Sequence, residues 1–148
     1  MIRMIVVQVN GLPAPQGSKR HVGRGIMVES SKAVGPWREA VRTECQRVMD
    51  GMMPMAGPVE VQVTFWLPRP KGHFRTGRNA HLVRDGAPRF PAVMPDLDKL
   101  CRAVLDGLTA GGAWSDDGQV TRLIASKQYV TPGEDKPGCS ALILEDMS

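Results

Sequence analysis

The stretch from Met94 to Lys127, MPDLDKLCRAVLDGLTAGGAWSDDGQVTRLIASK, constrains this chain more than any other. It holds Asp96, Asp98, Asp106, Asp116 and Asp117, five of the chain's nine aspartates. Like charges a few ångströms apart repel and raise one another's pKa, so such a cluster is costly unless a cation sits within it. Mg²⁺ is the usual remedy, because it prefers carboxylate oxygens and keeps several waters. Leu97, Cys101, Val104 and Leu108 recur at helical spacing and define one buried face. Pro95 precedes the pattern and Asp96 stands at the N-cap position. Thr109-Ala110-Gly111-Gly112 stops the helix, with a glycine free to take the left-handed C-cap. Residues i and i+2 point apart in mid-helix, but an extended N-cap Asp96 and a first-turn Asp98 can converge, where the helix dipole favours their charge. Asp98, Arg102 and Asp106 follow at i, i+4, i+8 along the exposed face. Trp114 to Gly118 then leads into a strand, Val120 to Val130, which is expected to return Asp116 and Asp117 towards the helix start. Singly, a cap, a first-turn acid and a turn explain these aspartates. Jointly, DxD at a helix start and DD at a strand start point to a metal site, and on the residues alone both readings stand.

The run P-D-L-D-K-L-x-R-A-V-L-D-G-L-T, then G-A-W-x-D-D-x-Q-V and Lys127, resembles the RusA family of Holliday-junction resolvases. These are small endodeoxyribonucleases common in phages and prophages. Gly11 to Arg20, GLPAPQGSKR, is similar to the family's early G-x-P-x-P-x-x-K-x-R segment. The resemblance is specific over Asp96 to Lys127, looser over the first forty residues, and matches Pro68 to Phe90 only as a basic loop. It implies Mg²⁺-dependent nicking by a homodimer, with Mn²⁺ as a substitute ion, in DNA recombination and repair. The family's catalytic, metal-holding carboxylates fall on Asp96, Asp98 and Asp117. Its essential helix lysine falls on Arg102, which keeps the charge and changes its shape. The asparagine that often follows DxD in the family is Lys99 here.

The remaining sequence sets these residues in one domain spanning residues 1–148, long enough for a proper core. Ile2 to Val9 reads as a strand with Ile5, Val7 and Val9 on one face. A Gly- and Pro-rich loop follows with Lys19, Arg20, His21 and Arg24, and Gly25 to Val28 reads as a short strand. A helix over Gly35 to Met49 turns Trp37, Val41, Cys45 and Val48 inwards. Val59 to Leu67 alternates as a half-buried strand. Pro68 to Pro95 is the longest irregular stretch, with Arg69, Lys71, Arg75, Arg78, Arg84 and Arg89 against one acid, Asp85. A loop of that length in a small domain is functional or disordered. Within it Phe74 or Phe90 could stack on a base, but a simple anchoring role is the expectation, and His73 and His81 carry no zinc spacing. Ser140 to Leu144 is the last strand, expected to form an antiparallel hairpin with Val120 to Val130. The fold class is therefore α/β, a mixed sheet with two main helices on one side.

The net charge of +4 and pI of about 9.3 suit a polyanionic partner. Three scattered cysteines without a CxxC pair suggest a reduced, cytoplasmic protein and no zinc, the resemblance implies a bacterial host, and no apolar run is long enough to cross a membrane. The expected activity is a metal-dependent endonuclease on four-way or otherwise branched DNA. Arg102, or failing it Lys127, would meet the scissile phosphate, and Lys19, Arg20, Arg24, Arg69, Lys71, Arg75 and Arg78 would hold the DNA backbone. Two symmetric cuts call for a two-fold dimer, with the apolar face of the first helix or the methionine-rich turn at residues 50–58 as its interface. The rivals are a non-catalytic basic DNA-binding protein and a metal-dependent phosphoesterase with another substrate.

Overall fold

A computed structural model describes residues 2–17, 19–21, 27–29, 32–134 and 136–146, with the backbone alone for 19–21 and 27–29. The chain runs β1 (Ile2–Asn10), β2 (Lys19–His21), β3 (Met27–Glu29), α1 (Val34–Val48), β4 (Val59–Leu67), α2 (Leu97–Ala110), β5 (Val120–Tyr129) and β6 (Gly138–Asp146). β2 and β3 pair as a small antiparallel ribbon. The four long strands form one mixed sheet in the order β1-β6-β4-β5.

That order corrects one expectation. β6 does not form a hairpin with β5. It lies between β1 and β4, antiparallel to both, while β5 pairs in parallel with β4 at the sheet edge. Composition explains the choice. β6 reads GCSALILED and buries Cys139, Ala141 and Ile143, which suits a central strand. β5 carries Arg122, Lys127 and Gln128 and leaves most of its residues exposed, which an edge tolerates.

β4, α2 and β5 make a parallel crossover, so α2 runs opposite to both strands. α1 and α2 lie side by side over one face of the sheet, pointing the same way. Val41 meets Gly107 and, one turn on, Cys45 meets Gly111. A Cβ at Gly107 would stand 2.7 Å from Val41, and one at Gly111 would stand 2.5 Å from Cys45, so only glycine lets the helices approach this closely. Gly111 thus serves packing, and the left-handed residue ending α2 is Gly112, at φ +88°.

Alternation along β1 and β4 turns Ile5, Val7, Val9, Val59, Val61, Val63 and Phe65 inwards, against Trp37, Val41 and Cys45 of α1 and Leu100, Val104 and Leu108 of α2. α1 therefore spends its apolar face on its own core and has none left for a second chain. The methionine-rich turn is divided, with Met49 and Met55 buried and Met53 79% exposed. Apolar side chains remain on the uncovered face of the sheet, at Ile2, Met4, Val6 and Ile124. All three cysteines are buried and unpaired, and burial pushes Cys45 and Cys101 up to about 11 and Cys139 to about 12.

The parallel helices give the molecule two unlike ends. Both helix N-termini, the ends of β4 and β5 and the loop 68–95 gather at one. The start of β4, the C-terminus of α2 and the turn before β5 gather at the other.

Candidate active site

Asp96 takes the N-cap position of α2 with extended backbone (φ −68°, ψ 138°), yet its carboxylate caps no backbone N–H. Its neighbour is Lys99, 3.6 Å away. Asp98 follows in the first turn and is exposed. Both carboxylates are thus presented outward at the helix start. Three tethers hold that start in place. Lys127, on β5, donates through Nζ to the carbonyls of Val93 at 2.6 Å and Pro95 at 2.8 Å. The N–H of Gln16 donates to the Lys99 carbonyl at 2.9 Å. The side chain of Gln16, itself buried, accepts from Arg38 of α1 at 2.6 Å. Lys127 is therefore a positioning residue for the turn that carries Asp96.

Arg102 lies one turn beyond Asp98 and Asp106 one turn beyond Arg102, all exposed on one stripe of α2. Among the described residues Arg102 makes no ion pair, which leaves its planar fork open to a phosphate.

The second acidic pair is not where the sequence led us to expect it. Because β5 runs opposite to α2, Asp116 and Asp117 lie by the C-terminal half of the helix. The charge of Asp106 acts on Asp117, and Asp106 is eight residues, about 12 Å, along the helix from Asp98. Among the described residues no three of His, Cys, Asp and Glu are grouped so as to hold a metal ion. The expected convergence of Asp117 on Asp96 and Asp98 therefore does not occur within one chain. The two carboxylates at the helix start do fit Mg²⁺, which is commonly held by one or two carboxylates, with waters and substrate phosphates filling the rest.

The Asp117 turn is nonetheless built with care. Asp116 accepts from the Gly118 N–H at 2.9 Å, and Gln119 Oε1 accepts from the N–H groups of Ser115 and Asp116 at 2.9 and 3.2 Å, a complete capping box. The Gln119 amide also donates to the carbonyls of Met55 at 2.8 Å and Gly57 at 3.1 Å, stapling the turn to the segment before β4. Behind it the buried Trp114 donates through Nε1 to Thr109 at 2.8 Å. With Asp116 held so near, hydrogen bonding and repulsion from it raise the pKa of Asp117, burial and the charge of Asp106 adding to the shift.

The basic loop is ordered by its own arginines. Short 3-10 turns at Lys71–His73 and Gly77–Asn79 and a bridge between Phe74 and Val83 give it shape. Arg84 donates to the Gly72 carbonyl at 2.8 Å, and Arg69 to that of Pro88 at 2.8 Å while its guanidinium lies 4.5 Å over the Tyr129 ring. Arg75 pairs with Asp85 at 3.1 Å. His73 packs edge-on to Tyr129 at 5.3 Å, with its pKa lowered by burial first and then by Arg69 and Arg84. Arg69 and Arg75 thus brace the loop, and Lys71 and Arg78 are exposed on its surface. Lys19 and Arg20 lie on β2 with their side chains outside the described residues, as is the whole of Arg24.

A model of the endodeoxyribonuclease RusA family matches residues 10–135. The chain belongs to that family. The match spans the tethered helix start, the capping box and the basic loop together, so the chain is a nuclease, from a family that acts on branched DNA junctions. No curated protein matches the chain. The hydrogen bonds of the turn give Gln119 its place. Its signal in the sequence is the spacing of three residues from Asp116 that a capping box requires. Gln16, Arg38 and Tyr129 were missed because long-range contacts alone give them their work.

Proposed function

We propose that this nuclease is a Mg²⁺-dependent resolvase that cuts four-way DNA junctions by paired, symmetric nicks, acting as a homodimer in the cytosol of a bacterial host. One observation carries this reading: two exposed, uncapped carboxylates, Asp96 and Asp98, stand on a triply tethered helix start at the end of the molecule that bears the basic loop. A non-catalytic DNA-binding protein has no use for tethered carboxylates facing a polyanion. A small-substrate phosphoesterase would enclose its ligand, whereas this acidic stripe lies along an open helix face.

Asp96 and Asp98 would hold the ion. Bound there, Mg²⁺ supplies a water of lowered pKa and neutralises charge on the phosphoryl oxygens. Arg102 lies beside them, and its fork would take the scissile phosphate as negative charge develops. Lys127 keeps the Pro95 turn, and with it Asp96, in place, and Lys71 and Arg78 contact flanking phosphates without reading sequence.

The distance from Asp117 to Asp96 bears on the dimer. A two-fold axis that lays two α2 helices alongside in opposite directions would bring the Asp117 end of each chain to the Asp96 end of the other. The isologous contact then completes two identical sites, as two opposed cuts require. The apolar residues on the open sheet face are the other surface available to the second copy.

The experiment is cleavage of a supercoiled cruciform plasmid, with subunit mixing. Mg²⁺ and Mn²⁺ should yield linear product, and activity surviving excess EDTA would overturn the mechanism. Asp96→Asn and Asp117→Asn should each be inactive alone. Co-refolded together they should regain nicking, because half of each mixed dimer's sites are intact. A dead mixture of demonstrated heterodimers returns both residues to one chain's site.

A further inference from the structure

At the same end of the molecule as Asp96 and Asp98 lies a hollow that the reading above leaves unused. It sits between the basic loop and the end of β5, has a volume of about 430 Å³, and is lined by Arg69, Val83, Arg89, Phe90 and Tyr129 among others. Phe90 does not anchor the loop as the sequence suggested. It is 58% exposed, with the Arg89 guanidinium 5.2 Å from its ring centre. Phe65, by contrast, is fully buried in the core. Across the hollow, Tyr129 lies under Arg69 and against His73. Two rings, each with a guanidinium on its face, thus border one open space.

Aromatic faces set among positive charges are how proteins take up single bases and track a nucleic-acid backbone. The hollow is also joined to the site. Phe90 leads through Pro91 to Pro95 directly to Asp96, and Tyr129 stands two residues beyond Lys127, which grips that segment by the Val93 and Pro95 carbonyls. A base inside intact duplex has both faces covered and cannot enter. A base at a branch point has lost part of its stack, so exposing it costs less.

We propose that this hollow receives one unstacked base from the branch point of the DNA substrate, with the base stacked on Phe90 and a neighbouring phosphate on Arg89. It therefore selects branched over linear DNA. The proposal rests on the nuclease reading above and adds to it how the branch is recognised.

The test is a cycle between protein and substrate, read as binding in Ca²⁺ and as single-turnover cleavage in Mg²⁺. Phe90→Ala should weaken binding to a four-way junction about tenfold, leave linear duplex of the same sequence unchanged, and be rescued by Phe90→Trp. An abasic nucleotide scanned through the positions around the branch should cost wild type a similar factor at one position. There Phe90→Ala should cost nothing further. Additive losses at every position, or equal losses on junction and duplex, would overturn the base-binding hollow. If wild type neither prefers nor cuts branched DNA, the resolvase reading falls, and the hollow's role with it. If wild type does both and Phe90→Ala is indistinguishable from it, the hollow alone falls.

Discussion

The two ends of α2 carry the same residue type and treat it in opposite ways. At the N-terminal end, Asp96 and Asp98 are left without caps while the backbone around them is tied by Lys127 and Gln16. At the C-terminal end, Asp116 is consumed by a capping box whose partner, Gln119, is pinned to the segment before β4, and Asp117 is crowded by two acids. Carboxylates spared from capping on a rigid frame are available to a ligand. Carboxylates engaged in a turn shape backbone first, and only the one left over, Asp117, has oxygens to offer elsewhere. The count of aspartates in a motif therefore does not say how many belong to one site.

The sharpest way to break this comparison is to remove charge at both ends. Asp96→Asn and Asp98→Asn should each reduce cleavage by at least about a hundredfold and leave junction binding as tight or tighter, since repulsion towards phosphate falls too. Asp117→Asn should do the same, and Asp116→Asn far less, because an asparagine oxygen still accepts from Gly118. Single-turnover cleavage with parallel gel-shift titration checks all four. Full activity in Asp98→Asn would dissolve the N-terminal site.

Arg102, set between the two ends, should matter next. Arg102→Ala should slow the chemical step about a hundredfold, the usual cost of losing one donor aimed at developing charge. Arg102→Lys should recover part of that, with the remainder measuring what the planar fork adds over a point charge. Wild-type rates in the alanine variant would move attention to Lys127. Lys127→Ala should instead act through Asp96, and so weaken the apparent Mg²⁺ affinity more than the rate at saturating Mg²⁺.

Much of this was legible from the residues and some was not, for identifiable reasons. α2, β1 and β4 announce themselves because one buried face imposes a period of 3.6 or 2 on the sequence. The centrality of β6 was missed because pairing order depends on which strand the core can least afford to expose, a comparison among strands and not a property of one. Asp117 was misplaced for a related reason. The strand after a crossover helix runs against it, so residues that begin the strand sit at the helix's far end. Gly111 reads locally as a cap, and only the neighbouring helix reveals it as a contact.

The glycine contact separates the fold from the chemistry. Gly107→Ala and Gly111→Ala should each cost about 1–3 kcal/mol by overpacking against Val41 and Cys45. Gly112→Ala should also destabilise, through its positive φ and not through contact, since nothing lies within 4 Å of a Cβ there. Denaturant titration measures these losses. If the helix start is held mainly by its own tethers, cleavage per folded molecule should survive in all three variants. Lost activity with intact folding would mean that the approach of α1 also sets the Asp96 turn.

The smallest expected effect is the most specific to the C-terminal end. The raised pKa of Asp117 comes first from hydrogen bonding to Asp116, then from burial and from the charges of Asp116 and Asp106. A raised carboxylate pKa means that the folded protein keeps this proton to a higher pH than the unfolded chain does. Folding is therefore favoured below the ordinary carboxylate range, and that contribution is lost as pH rises through the folded pKa. Activity has the opposite dependence, because only the ionised carboxylate can serve a cation, so the acid limb of the rate profile should lie above that of an unperturbed aspartate. Asp116→Asn removes the charge and keeps the capping oxygen. It should shift the acid limb to lower pH and raise Tm slightly at pH 7, with no gain in Tm at a pH where Asp117 is protonated. Asp106→Asn should do the same more weakly, in line with its smaller influence. A rate profile unmoved by Asp116→Asn, with the capping box intact by crystallography, would show that Asp117 does not limit the reaction at low pH.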